Sequence, residues 1–231
     1  MENVIEKRDN TNRGSIKARP LAEILASRDA CEGIAFSAAN LARLVDHAKK
    51  EDCSHRLNNR FENSLPKIYL LKAARRREHL DVIERALGIM IDLDRIPERT
   101  RLASELMLAE LKDDSLFVSR IADRYPGIIA RMPSKLQCLV DRAQQRIDFL
   151  PIARERPLRF DVNWEENQAV LNVMELRKAF DTIFVLRILG DGLPTITQSL
   201  ELILSEYGRD RDPNCKHDIR RIAAEVMLAG L

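Results

Sequence analysis

The chain has 231 residues, 45% hydrophobic and 32% charged, with a net charge of +2. That balance excludes a wholly disordered chain and allows a sizeable core. Only 8 Gly and 9 Pro exclude collagen-like and low-complexity chains, and no apolar run approaches the ~18 residues of a membrane span.

Residues 1–18 are polar, with Asn-Thr-Asn and Arg-Gly-Ser punctuation. They read as a flexible tail without a secretory apolar region. Structure is expected from Pro20, with Leu21, Ile24 and Leu25 at helical spacing and Gly33 as the break. Ser37 is the expected N-cap of a helix with apolar face Leu41, Leu44, Val45 and Ala48. Leu57, Phe61 and Leu65 repeat every four residues, and Ile68, Leu71 and Ala74 continue to Arg75-Arg76-Arg77. Leu80, Ile83, Leu87, Met90 and Ile91 make a stripe stopped by Pro97. Leu102, Leu106, Ala109 and Leu111 make the next, and Asp113-Asp114-Ser115 ends it or caps its successor.

Phe117, Ile121 and Ala122 mark a short helix closing at Tyr125-Pro126-Gly127, followed by the apolar piece Ile128 to Met132. Ser134 is the expected cap of a helix turning Leu136, Leu139, Val140, Ala143 and Ile147 inward. Residues 151–163, with Pro151 and Pro157, read as a linker, and Arg159 to Asn163 hold the one alternating, strand-like pattern. Glu165 to Leu189 reads as a long apolar helix ended by Gly190-Asp191-Gly192. Ser199 to Tyr207 is helical and stops at Gly208, Asp212-Pro213-Asn214 is a turn, and Ile219, Ile222, Ala223, Val226, Met227 and Leu231 define a last helix. The class is all-α, with about nine or ten helices, because a parallel-sheet fold needs β-branched runs between helices.

Segments 79–111 and 199–231, offset by 120, are identical at eleven of 33 positions. The matches include Leu80 with Leu200, Ile83 with Ile203, Gly88 with Gly208 and Met107 with Met227. A weaker echo, shifted by 119, pairs Leu57 with Leu176 and Phe61 with Phe180. Two related helical modules are therefore expected, centred on 37–111 and 164–231. In that division 1–18 is the tail, 19–150 the first module with connecting helices, 151–163 the linker and 164–231 the second module. Stacked helical repeats usually present surfaces to partners.

The chemical motifs reduce to ordinary structural roles. Asp92-Leu93-Asp94 could hold a cation at a strand end, but the preceding residues fit a helix and Arg95 follows, so it reads as solvated acids. His217-Asp218 lacks the downstream ligand of a metal phosphohydrolase. Cys53 and His55 lack the second ligand pair of a zinc site. Gly190-Asp191-Gly192 follows a helix and lacks the strand and lysine of a phosphate loop. Cys31, Cys53, Cys138 and Cys215 are widely spaced and read as reduced structural thiols of a cytoplasmic protein. Arg outnumbers Lys 28 to 10, a bias common in GC-rich bacterial genomes.

Charge is mildly uneven: residues 1–79 carry 16 basic and 11 acidic residues, +5, and 80–231 carry 22 and 25, −3. The densest basic cluster is Arg75, Arg76 and Arg77, with Lys67, Lys72 and Arg85 near it. On a continuous helix these three arginines fan over about 200°. With Lys72 they are the candidate partner or nucleic-acid contacts. Trp164, the only tryptophan, is a candidate interface anchor.

Over about 171–231, the run Leu200-Glu201-Leu202-Ile203-Leu204, then Tyr207-Gly208, Asp210 and Asp212-Pro213 before a closing helix, resembles the helical-bundle modules of type III secretion gatekeeper proteins. The resemblance implies repeated bundles behind a polar N-terminus, and a gatekeeper-like or secreted-effector role.

The function expected from these observations is a protein-interaction or regulatory, adaptor-like role exercised through helical-bundle surfaces. No enzymatic activity, cofactor or metal is expected, nor a membrane span. A protein partner is expected, with homo-oligomers and a specialised secretion route left open. The alternative is a nucleic-acid-binding transcriptional regulator using the basic 56–85 region. An all-helical enzyme ranks lowest, since it would need Asp92, Asp94 and a histidine in one pocket.

Overall fold

The computed structural model describes residues 19–48, 55–154, 176, 179–207 and 219–231. These are helices joined by turns, with no strand among the described residues. The all-α class holds. The Arg159 to Asn163 pattern, the tail and Trp164 lie outside the described residues.

Twelve α-helical segments are present among the described residues. They are α1 (Leu21–Ala26), α2 (Arg28–Ala48), α3 (His55–Glu62), α4 (Leu65–Ala73), α5 (Leu80–Asp92), α6 (Glu98–Leu111), α7 (Ser115–Arg124), α8 (Pro126–Ile129), α9 (Met132–Arg154), α10 (Phe180–Leu189), α11 (Leu193–Tyr207) and α12 (Ile219–Leu228). A 3-10 turn, Arg77–His79, precedes α5.

The early break falls at Ser27 and not at Gly33. Ser27 takes an extended backbone after α1, and its Oγ accepts the Ala30 N–H at 3.3 Å, capping α2. Gly33 and Ser37 then lie inside one 21-residue helix, both buried. Gly33 is small because the helix meets another there. A Cβ on it would stand 3.0 Å from Ile222 Cδ1 and 3.2 Å from Ile219 Cδ1 on α12. Ser134 likewise is no cap: it lies in the first turn of α9 and donates to the Arg131 carbonyl at 3.2 Å.

Other local signals act as expected. Asp113 sits at φ 53, with its N–H on the Glu110 carbonyl and the Asp114 N–H on the Ala109 carbonyl. That left-handed stop ends α6. The Asp114 carboxylate then accepts the Phe117 N–H at 2.9 Å and starts α7. Gly190, at φ 70, and Asp191 close α10 on the Arg187 and Leu186 carbonyls. The expected linker begins inside α9, whose helix runs through 151–154; positions 155–163 lie outside the described residues.

Two helices are buried nearly all round. α4 buries Leu65, Pro66, Ile68, Tyr69, Leu70 and Leu71. It packs against α2, α5, α6, α10 and α12. In α10 every residue from Phe180 to Leu186 is buried, and the helix packs against α4, α6, α9 and α11. Residues from 19–150 and from 164–231 thus share one continuous core. Within it α5 packs on α6 and α11 on α12, and the echoed positions Ile83 and Ile203, Ala103 and Ala223, and Met107 and Met227 are all buried. Leu80 departs from the match: it is 36% exposed where Leu200 is fully buried.

Buried carboxylates join the layers. Asp181 of α10 accepts from Arg99 Nε at 2.9 Å and Thr100 Oγ1 at 3.1 Å on α6. Glu105 of α6 accepts from Arg124 at 2.5 Å and the Tyr125 hydroxyl at 3.1 Å. Its echo partner, Glu225, accepts from Arg19 at 2.5 Å.

Tyr69 yields a pH prediction. Burial raises its pKa above the usual tyrosine value of 10.0, opposed by the Arg187 charge and assisted by Glu110. Between pH 10 and the raised value the folded chain keeps a proton that the unfolded chain has lost. Stability therefore falls as pH rises through that window. Urea unfolding of wild type and Tyr69→Phe at pH 9, 10 and 11 checks this: the wild type is expected to lose more stability than the variant above pH 10. Parallel pH curves would show no linkage at Tyr69.

Candidate interaction surface

The basic cluster is divided among separate places. Arg75 follows α4 in a left-handed turn at φ 49, Arg76 is extended, and Arg77 opens the 3-10 turn. All three are exposed, and Arg76 lies 3.9 Å from Glu78. They occupy a turn and not a helix face, so the 200° fan does not apply. Lys72 is drawn inward. Its ammonium pairs with Glu110 and lies 5.7 Å from the centre of the Phe184 ring. Burial lowers its pKa, against the raising effect of Glu110. Arg85 pairs with Asp81 one helical turn away.

Asp92 ends α5 and Asp94 stands in the following turn, both exposed. No group of three or more His, Cys, Asp or Glu side chains suited to a metal gathers among the described residues. His217, Asp218, Cys53 and Cys215 lie outside them. Cys31 and Cys138 are free and exposed, so these two are not core thiols. No helix among the described residues is long and apolar enough to cross a membrane.

A cavity of about 700 Å³ lies between the start of α6, α8, α9 and α10. Two of its lining guanidinium groups are already engaged: Arg99 binds Asp181, and Arg131 Nε donates to the Gly127 carbonyl at 2.7 Å.

A smaller cleft, about 450 Å³, is different in kind. The end of α6, the first turn of α7, the end of α10, the start of α11 and residues 230–231 enclose it. Val118, Ile188, Leu193 and Leu231 form its apolar walls. Leu193 is 47% and Leu231 48% exposed. On the same first turn of α7, Leu116 is 74% exposed and Phe117 39%. Sequence periodicity missed this cluster, because its members come from three separate chain segments.

The cleft floor is electrically closed. Glu110 binds Lys72 and lies 3.9 Å from Arg187, whose guanidinium sits 5.6 Å from the centre of the Tyr69 ring. The rim is acidic. Asp113, Asp114 and Asp191 are exposed in the two helix-ending turns beside it, with Lys112 as counter-charge. Asp113 and Asp191 make no ion pair among the described residues. The surface offers apolar anchors within a negatively charged border, an arrangement suited to a non-covalent partner.

No protein-family model, curated protein or solved structure matches the chain. Of the gatekeeper-like segment, Leu200 to Leu204 lies in α11, and 208–213 lies outside the described residues.

Proposed function

We propose that this chain is a non-enzymatic interaction module, and that its cleft receives an amphipathic helix of a partner protein carrying a basic flank. The observation that carries the reading is the exposure of Leu193 and Leu231 on the walls of the cleft. Apolar groups held open at a concave surface gain free energy when a partner's apolar face covers them. Asp113, Asp114 and Asp191 supply the charge complement, which steers encounter and sets orientation. A cytoplasmic, regulatory or gatekeeper-like setting fits the same reading.

The test is co-purification on the tagged full-length chain at about 100 and 500 mM salt, where screening weakens exposed charge pairs but not apolar burial. Wild type is compared with Leu193→Glu/Leu231→Glu, both on the cleft walls. The expected result is a partner retained at both salts by wild type, with capture at least roughly tenfold lower in the double variant. The variant should melt within a degree or two of wild type, since both side chains are exposed. A partner indifferent to the double variant would sink the reading. Nucleic acid released at high salt, and lost in Arg75→Ala/Arg76→Ala/Arg77→Ala, would replace it with the regulator reading.

A further inference from the structure

A second cavity, about 500 Å³, opens between α2, α3 and the start of α4. Arg43 and His47 of α2, Arg60 of α3, Asn63 in the following turn and Lys67 of α4 line it, and among the described residues no carboxylate does. Arg220 of α12 reaches the same wall, donating to Asn63 Oδ1 at 2.7 Å. Lys67 Nζ donates to Asn40 Oδ1 at 2.7 Å. Both acceptors are neutral amides. The Arg43 and Arg60 guanidinium groups make no hydrogen bond or ion pair among the described residues.

Arg43, Arg60 and Lys67 therefore converge on one concavity, with Arg220 at its wall as a fourth cation, and no described residue of the lining supplies a counter-charge. Lys67 is partly buried there, and burial, then the neighbouring Arg220 charge, draws its pKa below the usual lysine value. Arg43 and Arg60 are exposed and Lys67 half-buried, so their mutual repulsion is partly screened, and an anion seated among them would relieve what remains. Lys72, Arg85, Arg99 and Arg124, by contrast, each hold a carboxylate.

We propose that this cavity binds a phosphate-bearing small molecule. A single carboxylate would neutralise one of four cations, whereas a phosphate dianion carries enough charge and acceptors for several. Guanidinium forks match phosphate oxygens two at a time. A 500 Å³ space also exceeds a bare phosphate, leaving room for an organic body beside Leu44, His47 and the Asn40 and Asn63 amides. The described lining holds no Phe, Tyr or Trp on which successive bases would stack, which favours a compact ligand over a nucleic-acid strand. This site shares no lining residue with the apolar cleft, so either proposal can fail alone.

The experiment is thermal unfolding and titration calorimetry on the full chain with inorganic phosphate, pyrophosphate and a sugar phosphate, against chloride at matched ionic strength. Wild type is compared with Arg43→Gln/Arg60→Gln. Phosphate compounds are expected to raise the wild-type melting temperature above the chloride control. The double variant should bind at least roughly tenfold more weakly and, without phosphate, melt at or above the wild-type temperature because like charges have been removed. That last result distinguishes a ligand site from a structural role. Tighter binding of the sugar phosphate than of inorganic phosphate identifies an organic ligand, and the reverse identifies free phosphate. No shift beyond chloride, or equal affinity in the double variant, overturns the proposal. Tighter binding of a short oligonucleotide than of pyrophosphate, lost in the same variant, overturns it in favour of a nucleic-acid surface.

Discussion

Phe184→Ala is expected to lower the unfolding free energy by about 4 kcal/mol and the melting temperature by roughly 10 °C. Phe184 is fully buried in α10. Its ring meets Tyr69 edge-on, with centroids 5.7 Å apart, and Tyr69 meets Phe180 in the same way at 5.9 Å. The Lys72 ammonium lies over its face. Truncation removes the ring's transfer free energy and leaves a void where α4 and α10 pack. It also removes a wall beside the Lys72–Glu110 pair, which underlies the apolar cleft. Urea unfolding measures the loss. Phe117→Ala is the control: that ring is 39% exposed, and its loss should stay near or below about 1 kcal/mol. Equal losses for the two would mean that burial in α10 is not what stabilises this core.

Gly33→Leu is expected to cost about 3 kcal/mol or more, while Gly33→Ala should change stability by less than about 1 kcal/mol. Alanine gains helix propensity worth about 1 kcal/mol over glycine. Against that, its Cβ must push Ile222 Cδ1 and Ile219 Cδ1 back by a few tenths of an ångström. Those atoms are the ends of flexible side chains, so they can give. A leucine brings three further carbons into the same gap and forces α12 away from α2. Ile222→Val in the Gly33→Leu background should restore part of the loss, and a double-mutant cycle by urea unfolding reads that coupling. Additive effects would place the leucine elsewhere than against Ile222.

The two proposed surfaces draw on different segments. The apolar cleft uses α6, α7, α10, α11 and residues 230–231, and the basic cavity uses α2, α3 and α4. Both touch α4, through Lys72 beneath the cleft and Lys67 in the cavity. Substitutions at the two sites should nevertheless add, because their lining residues are not shared.

Sequence alone determined what short-range physics controls. The all-α class, the helices bearing Ile83, Leu87 and Met90 and Leu102 and Leu106, the Asp114 cap and the Gly190-Asp191-Gly192 stop were all legible. Each depends on hydrogen bonds or apolar spacing within a few residues. Gly33 was misread because a glycine that breaks a helix and one that admits a neighbouring helix look the same along the chain. Ser37 was misread because an N-cap and a serine buried within a helix differ only in surroundings. The arginine cluster appeared as one patch, but Lys72 turns inward to Glu110, 38 residues away, and Arg75 to Arg77 leave the helix. The Val118, Leu193 and Leu231 cluster and the cavity of Arg43, Arg60 and Lys67 with Arg220 at its wall were invisible for the same reason. Tertiary packing alone decided which distant side chains meet, which charges find a partner and which apolar groups remain uncovered, because those free energies depend on proximity in space, which one-dimensional spacing does not encode.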